Sequence, residues 1–229
     1  MAAPFGRLVK AWRRGGAPLA ARVALDRLAD AVLEWRLGIH SGGLVAIESL
    51  VAQWNGCHDY FPSSIRAFNR VLRDLQVRED DVFVDYGCGM GRALVLAARA
   101  PFGALVGFDV SEQLLAVARE NLRRAVPTAR RERIAVLHCD ARAFRLPEAA
   151  TVLYFYNPFH GEILAAVFAD IARSLRARPR RLRVVFNNPS HFRQVEAQYP
   201  WLRVRMEYRF EYSIVVYEAD AAALPAAAA

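Results

Sequence analysis

Seven runs of β-forming residues stand out at positions 82–84, 104–108, 134–139, 151–156, 182–186, 201–208 and 212–218. The first five are apolar almost throughout, as expected of strands covered on both faces, whereas the last two alternate apolar and polar residues. Several intervening segments repeat apolar residues at helical spacing. Leu114, Leu115, Ala118 and Leu122 share one face of a helix expected over 112–124, with Ser111 placed to cap it. Further helices are expected over 93–98, 161–175 and 192–198. Strands alternating with helices predict parallel pairing. Only Arg209-Phe210-Glu211 separates the last two runs, too few residues for a crossover, so these strands must be antiparallel. The expected fold is α/β: a three-layer sandwich with a mostly parallel seven-stranded sheet ending in an antiparallel hairpin, plus N-terminal helices.

Upstream of this pattern, residues 1–16 are basic, contain Gly and Pro, and read as loose. Residues 19–37 read as an amphipathic helix through Leu25, Leu28, Ala29, Val32, Leu33 and Trp35. The expectation is that this face packs on the sheet domain; the alternative is a membrane surface. A small-residue joint, Ser41-Gly42-Gly43, leads to a short helix expected over 44–54. Pro62 is expected to open a helix carrying Ile65, Phe68, Val71, Leu72 and Leu75. The division is residues 1–59 as a helical extension and candidate lid, 60–219 as the catalytic-type domain, and 220–229 as a disordered Ala-rich tail.

The chemistry concentrates where the first strand ends. Asp85 closes the run Val82-Phe83-Val84 and is followed by Gly87, Gly89 and Gly91 at alternate positions, then by an apolar helix. Glycines let backbone approach a ligand closely, and the free N–H groups of a starting helix favour a negative group. The Gly-x-Gly-x-Gly spacing is not the Gly-x-Gly-x-x-Gly of a dinucleotide site. A carboxylate at Asp85 suits an ammonium group rather than a pyrophosphate. Asp109 ends the second strand 22 positions after Gly87, near the offset of about 20 for an acid on ribose hydroxyls. Asp140 ends the third strand, and Asn157-Pro158-Phe159 follows the fourth.

Together these residues resemble the class I methyltransferases, whose first strand ends Asp-x-Gly-x-Gly-x-Gly. The resemblance covers roughly residues 60–219. It implies S-adenosylmethionine as cofactor, with Asp85, Gly87, Gly89, Gly91 and Asp109 in its binding site and Asp140 accepting from the adenine amine. Tyr60, in Tyr60-Phe61-Pro62-Ser63, is similar to a Tyr-x-Pro-Ser/Thr segment that helps to close the cofactor pocket in some protein-lysine methyltransferases. Asn157, Pro158 and Phe159 resemble a shortened acceptor motif of amino-directed members, though the second proline is missing; a plain strand terminus remains the alternative. Arg92 and the helix start suit a ligand carboxylate, which argues against an aminopropyltransferase using the decarboxylated cofactor. A non-catalytic scaffold of the same fold stays open, as does an RNA methyltransferase. Methyl transfer needs alignment and exclusion of water more than acid–base groups.

A formal net charge of +8 invites a nucleic-acid reading, but Lys10 is the only lysine and the arginines fall mostly at helix ends and in loops. No aromatic-interleaved RNA motif accompanies them. The expected acceptor is a nitrogen on a protein or small molecule, with nucleic acid not favoured. Cys57, Cys88 and Cys139 have no matching ligand cluster, so neither a metal site nor a nucleophile is expected. No run is long and apolar enough for a transmembrane segment, and a cytoplasmic location is the default.

Overall fold

The computed structural model describes residues 5–43, 45, 57 and 60–224. Seven strands form one sheet: β1 Val82–Tyr86, β2 Ala104–Asp109, β3 Ile134–His138, β4 Val152–Phe155, β5 Arg183–Asn187, β6 Leu202–Arg209 and β7 Ser213–Ala219. Their order is β3-β2-β1-β4-β5-β7-β6, parallel through β5 and antiparallel at the β5–β7 and β6–β7 pairs. The expected hairpin is present, with β7 inserted between β5 and β6. The order reverses between β1 and β4, and ligands of open α/β sheets sit outside the strand ends at such a switch point. Asp85 lies there, in register with Gly107 on one side and Tyr154 on the other.

Helices α2 Ile65–Leu75, α3 Arg92–Ala97 and α4 Glu112–Ala125 cover one face, where Phe68, Val71, Leu94, Val95 and Leu115 are buried. Helix α6 Gly161–Ala177 covers the other, packing Phe168 and Ile171 among Phe155, Phe186 and Trp201. The short α5 Thr128–Arg131 and α7 Phe192–Val195 complete the layers. The caps read from sequence have local causes. Ser111 accepts from Leu114 N at 3.4 Å, satisfying an N–H that has no partner within the helix. Helix α2 starts at Ile65 beneath Ser64, which accepts from Ala67 N. Pro62 stands before the cap rather than at the first helical position.

The N-terminal segment differs more from expectation. Helix α1 spans Phe5–Leu37 and reaches into the stretch read as loose, interrupted at Gly15 and at Gly16, whose φ is 65°. Leu25, Leu28, Val32 and Trp35, expected against the sheet domain, are exposed. Val23 and Asp30 are buried instead, because the acids of this helix meet cations of the domain. The helix expected over 44–54 lies outside the described residues apart from Val45, which bridges Tyr60. At the other end, Ala221–Ala223 forms a 3-10 turn capped by Asp220, and Arg203 binds Asp220 at 2.9 Å. Order therefore continues to Leu224 where a disordered tail was expected; residues 225–229 lie outside the described residues.

Candidate functional site

Beyond β1 the chain turns through Gly87, Gly89 and Gly91, whose φ values are 75°, 52° and 76°. The turn is fastened to β2: Gly87 N and Cys88 N both donate to Phe108 O, at 3.1 and 2.9 Å. Gly89 is the position where only glycine fits. A Cβ there would stand 2.3 Å from two carbons of the Tyr60 ring, in a left-handed conformation that side chains rarely adopt. Tyr60 thus roofs the turn, and its hydroxyl donates to Ser41 O at 2.9 Å.

Asp109 is tied to the same turn. Its Oδ2 accepts from Gly89 N at 2.9 Å and its Oδ1 from Ser111 N at 2.9 Å. Burial nevertheless raises its pKa, against the lowering by these backbone donors. Asp85 is buried at the floor, its pKa pushed well up by burial and then by the charge of Asp109. A buried carboxylate with a second, half-buried one near it is costly unless a cation joins them. Asp85, but not Asp109, lines a pocket of about 260 Å³ together with Tyr60, Ser63, Gly87, Arg92 and Tyr156, among others.

Arg92 does not present a free guanidinium to this pocket. It is buried and donates to Glu34 at 2.7 Å, Asp30 at 3.3 Å, Ser41 Oγ at 3.0 Å and Ser63 O at 3.0 Å. The carboxylate-binding role read for it from sequence is therefore corrected: its donors hold α1, the Ser41 hydroxyl and the Ser63 carbonyl against the glycine turn. Asn121 extends the same clamp, donating to His40 O and Met90 O while accepting from His40 N. Sequence reasoning missed Asn121, although a polar residue beside Ala118 and Leu122 on the buried face of α4 was the available signal.

Asp140 sits further out. It forms a fork with Arg142, whose hydrogen bond is the first cause lowering its pKa, and its side chain is partly exposed. Asn157 turns the chain with φ 43°, and Pro158 lies against the glycine turn, 2.8 Å from where a Gly87 Cβ would stand. Phe159 points into the core, edge-on to Phe155 at 6.1 Å. The ring at the mouth is Tyr156, which sequence reasoning did not single out. It also lines a second pocket of about 450 Å³, bounded by Asp26, Asp30, Asn187, Phe210, Glu211 and Tyr212, among others. The two pockets share Pro62 and Tyr156. Among the described residues no group of three or more potential metal ligands is present. Burial raises the Cys88 and Cys57 thiols, so neither is a ready thiolate.

A family model described as a methyltransferase domain matches residues 83–178. Over those residues the chain is similar to a methyltransferase domain. No curated protein matches the chain. Among solved structures, an RNA methyltransferase from Salinibacter ruber in complex with S-adenosyl-L-homocysteine is 22% identical, with a TM-score of 0.51, covering 74% of this chain and 97% of that one. The ribosomal protein L11 methylase from Lactobacillus delbrueckii subsp. bulgaricus is 14% identical, with a TM-score of 0.52 and coverages of 70% and 80%. TrmN from Thermus thermophilus is 21% identical, with a TM-score of 0.51 and coverages of 69% and 49%. At these identities the likeness is one of fold. For the methyltransferase domain, the cofactor to set against the pocket is S-adenosylmethionine. The donor set fits it: the buried Asp85 carboxylate suits an ammonium, and Asp109 keeps acceptor capacity for hydroxyls beyond its bonds to Gly89 N and Ser111 N.

Proposed function

We propose that this methyltransferase transfers the methyl group of S-adenosylmethionine to a nitrogen on a protein or small molecule. The observation that carries the cofactor half is the buried Asp85 carboxylate at the end of β1, beside the glycine turn that Asp109 holds through Gly89 N. The bound cofactor supplies an activated methyl group on a positive sulfur. Asp85 faces the cofactor's ammonium, and Asp109 accepts from its hydroxyls while holding Gly89 in place. Tyr60 closes the turn and keeps water from it. Asp140 at the rim suits the adenine amine once its fork with Arg142 opens.

For the acceptor half, the support is the second pocket. It shares Pro62 and Tyr156 with the first and carries three carboxylates, Asp26, Asp30 and Glu211, against one cation, Arg27, beside the Phe210 and Tyr212 rings, a lining that suits an amine-bearing group better than a phosphate backbone. Asn157 and Pro158 bound the turn beside it. Phe159 supports that loop from the core, and Tyr156 is the ring placed to pack on the amine.

Calorimetric titration with S-adenosylmethionine tests the first half. Binding is expected, and Asp109→Ala should weaken it roughly tenfold by losing the hydroxyl acceptor and loosening the turn. A folded protein that binds neither the cofactor nor its demethylated product would overturn the reading in favour of a scaffold. Labelled methyl transfer into fractionated cell extract tests the second half. Label confined to RNA would refute the nitrogen acceptor proposed here.

A further inference from the structure

The outer face of α1 is apolar where a surface helix is ordinarily polar. With 3.6 residues per turn, Val23, Asp30, Glu34 and Leu37 lie on the side held by the domain, while Ala21, Leu25, Leu28, Val32 and Trp35 lie opposite. Relative exposures on that outer side are 65% for Leu25, 63% for Leu28, 47% for Val32 and 82% for Trp35, and Trp12 beyond the glycine break is 60% exposed. Single exposed apolar residues need no explanation, but a continuous stripe along three turns marks a surface meant to be covered.

The charges say what covers it. Asp26, Asp30 and Glu34 are the only acids in residues 5–43, and all three turn inward: Asp26 to Arg66 at 3.1 Å, Asp30 and Glu34 to Arg92. Arg13, Arg22 and Arg36 are exposed and add positive charge to this side of the molecule, Arg22 with its guanidinium 5.8 Å from the centre of the Phe210 ring. A second copy pairing through the same face would bring like-charged rims together, on a chain whose net charge is already +8. An anionic bilayer surface complements both features. Its headgroups meet the arginines, and its interface accepts tryptophan and leucine side chains. Among the described residues no helix is long and apolar enough to cross a membrane.

We infer that α1 docks the protein on an anionic lipid surface through Leu25, Leu28, Val32 and Trp35, with Arg36 on the headgroups and Arg22 joining it by swinging off the Phe210 ring. The opposite side of the same helix holds Arg92, so the glycine turn is carried close to the bilayer. This inference is independent of the methyl acceptor.

The test is flotation of the full chain with vesicles of phosphatidylcholine alone and of phosphatidylcholine mixed with phosphatidylserine. The protein should float with the mixed vesicles and stay behind with the neutral ones. Two double variants, Leu28→Gln with Trp35→Gln and Arg22→Gln with Arg36→Gln, should each lower partitioning by roughly tenfold or more. Calorimetry with S-adenosylmethionine serves as the folding control and should be unchanged, because none of these residues lines the pocket. Failure of the unaltered chain to float with the mixed vesicles would overturn the inference, as would equal flotation of both double variants. So would a dimer in sedimentation velocity that Leu28→Gln with Trp35→Gln turns into monomer.

Discussion

Arg92→Met is expected to destabilise the protein by about 3–5 kcal/mol at pH 8, the usual cost of stripping one partner from a buried ionic cluster. The guanidinium is the common cation for Asp30 and Glu34 and also donates to Ser41 Oγ and Ser63 O. Methionine fills much of the volume and supplies none of these bonds. Burial already raises the Asp30 pKa against the opposing pull of Arg92, so losing that cation lifts it further. The sign follows from linkage. A carboxylate whose folded pKa lies above its unfolded value favours folding below the unfolded pKa, and that contribution is lost as pH rises through the folded pKa. The defect should therefore be smaller near pH 5 and full by pH 8. Urea denaturation at both values measures it, and adding Asp30→Asn and Glu34→Gln to the variant should recover most of the loss. A loss that does not change with pH would mean that the cluster's charge is not what holds α1.

The same cluster marks where reading the sequence stops. The site's framework was legible because its signals are local. Glycines at 87, 89 and 91 follow an apolar strand directly, and Ser111 stands next to the helix it caps. The closing hairpin was legible because three residues cannot carry a crossover. The face of α1 was not legible. Leu25, Leu28, Val32 and Trp35 repeat at helical spacing, and that spacing says that the helix has an apolar side without saying what lies on it. The discriminating pattern was Asp26, Asp30 and Glu34 at intervals of four, an acidic line that meets cations of the domain, Arg66 and the buried Arg92. Its partner Arg92 opens an otherwise apolar helix and read as a ligand-binding residue. Only the fold brings positions 62 and 58 apart in sequence into contact. Tyr156 was obscure for a similar reason: the acceptor motif drew notice to Phe159, two residues inside the turn that Asn157 makes with φ 43°.

Asp85→Asn is expected to weaken S-adenosylmethionine binding roughly a hundredfold at pH 8, the cost of truncating one partner of a buried charged pair, while making the ligand-free protein more stable there. The two effects share one cause. In the ligand-free protein, burial and the neighbouring Asp109 hold the Asp85 pKa well above its ordinary value. Its contribution to stability is present in acid and is lost as pH rises through the raised value. Asparagine carries no such charge, so the decline in stability between pH 5 and pH 8 should flatten. Binding runs the other way. The ammonium of the cofactor needs Asp85 ionised, so affinity for the unaltered protein should climb with pH, by up to about tenfold per unit below the raised pKa. In the variant that climb should vanish along with the affinity. Calorimetric titration across this range, beside thermal unfolding without ligand, reads both. If Asp85→Asn keeps both the affinity and its pH slope, Asp85 is not the ammonium's partner, and Asp109 alone must carry the charge. On the proposed reading, the buried carboxylate is a strain that the fold bears until its ligand neutralises it, which would place the residue in function rather than in the core.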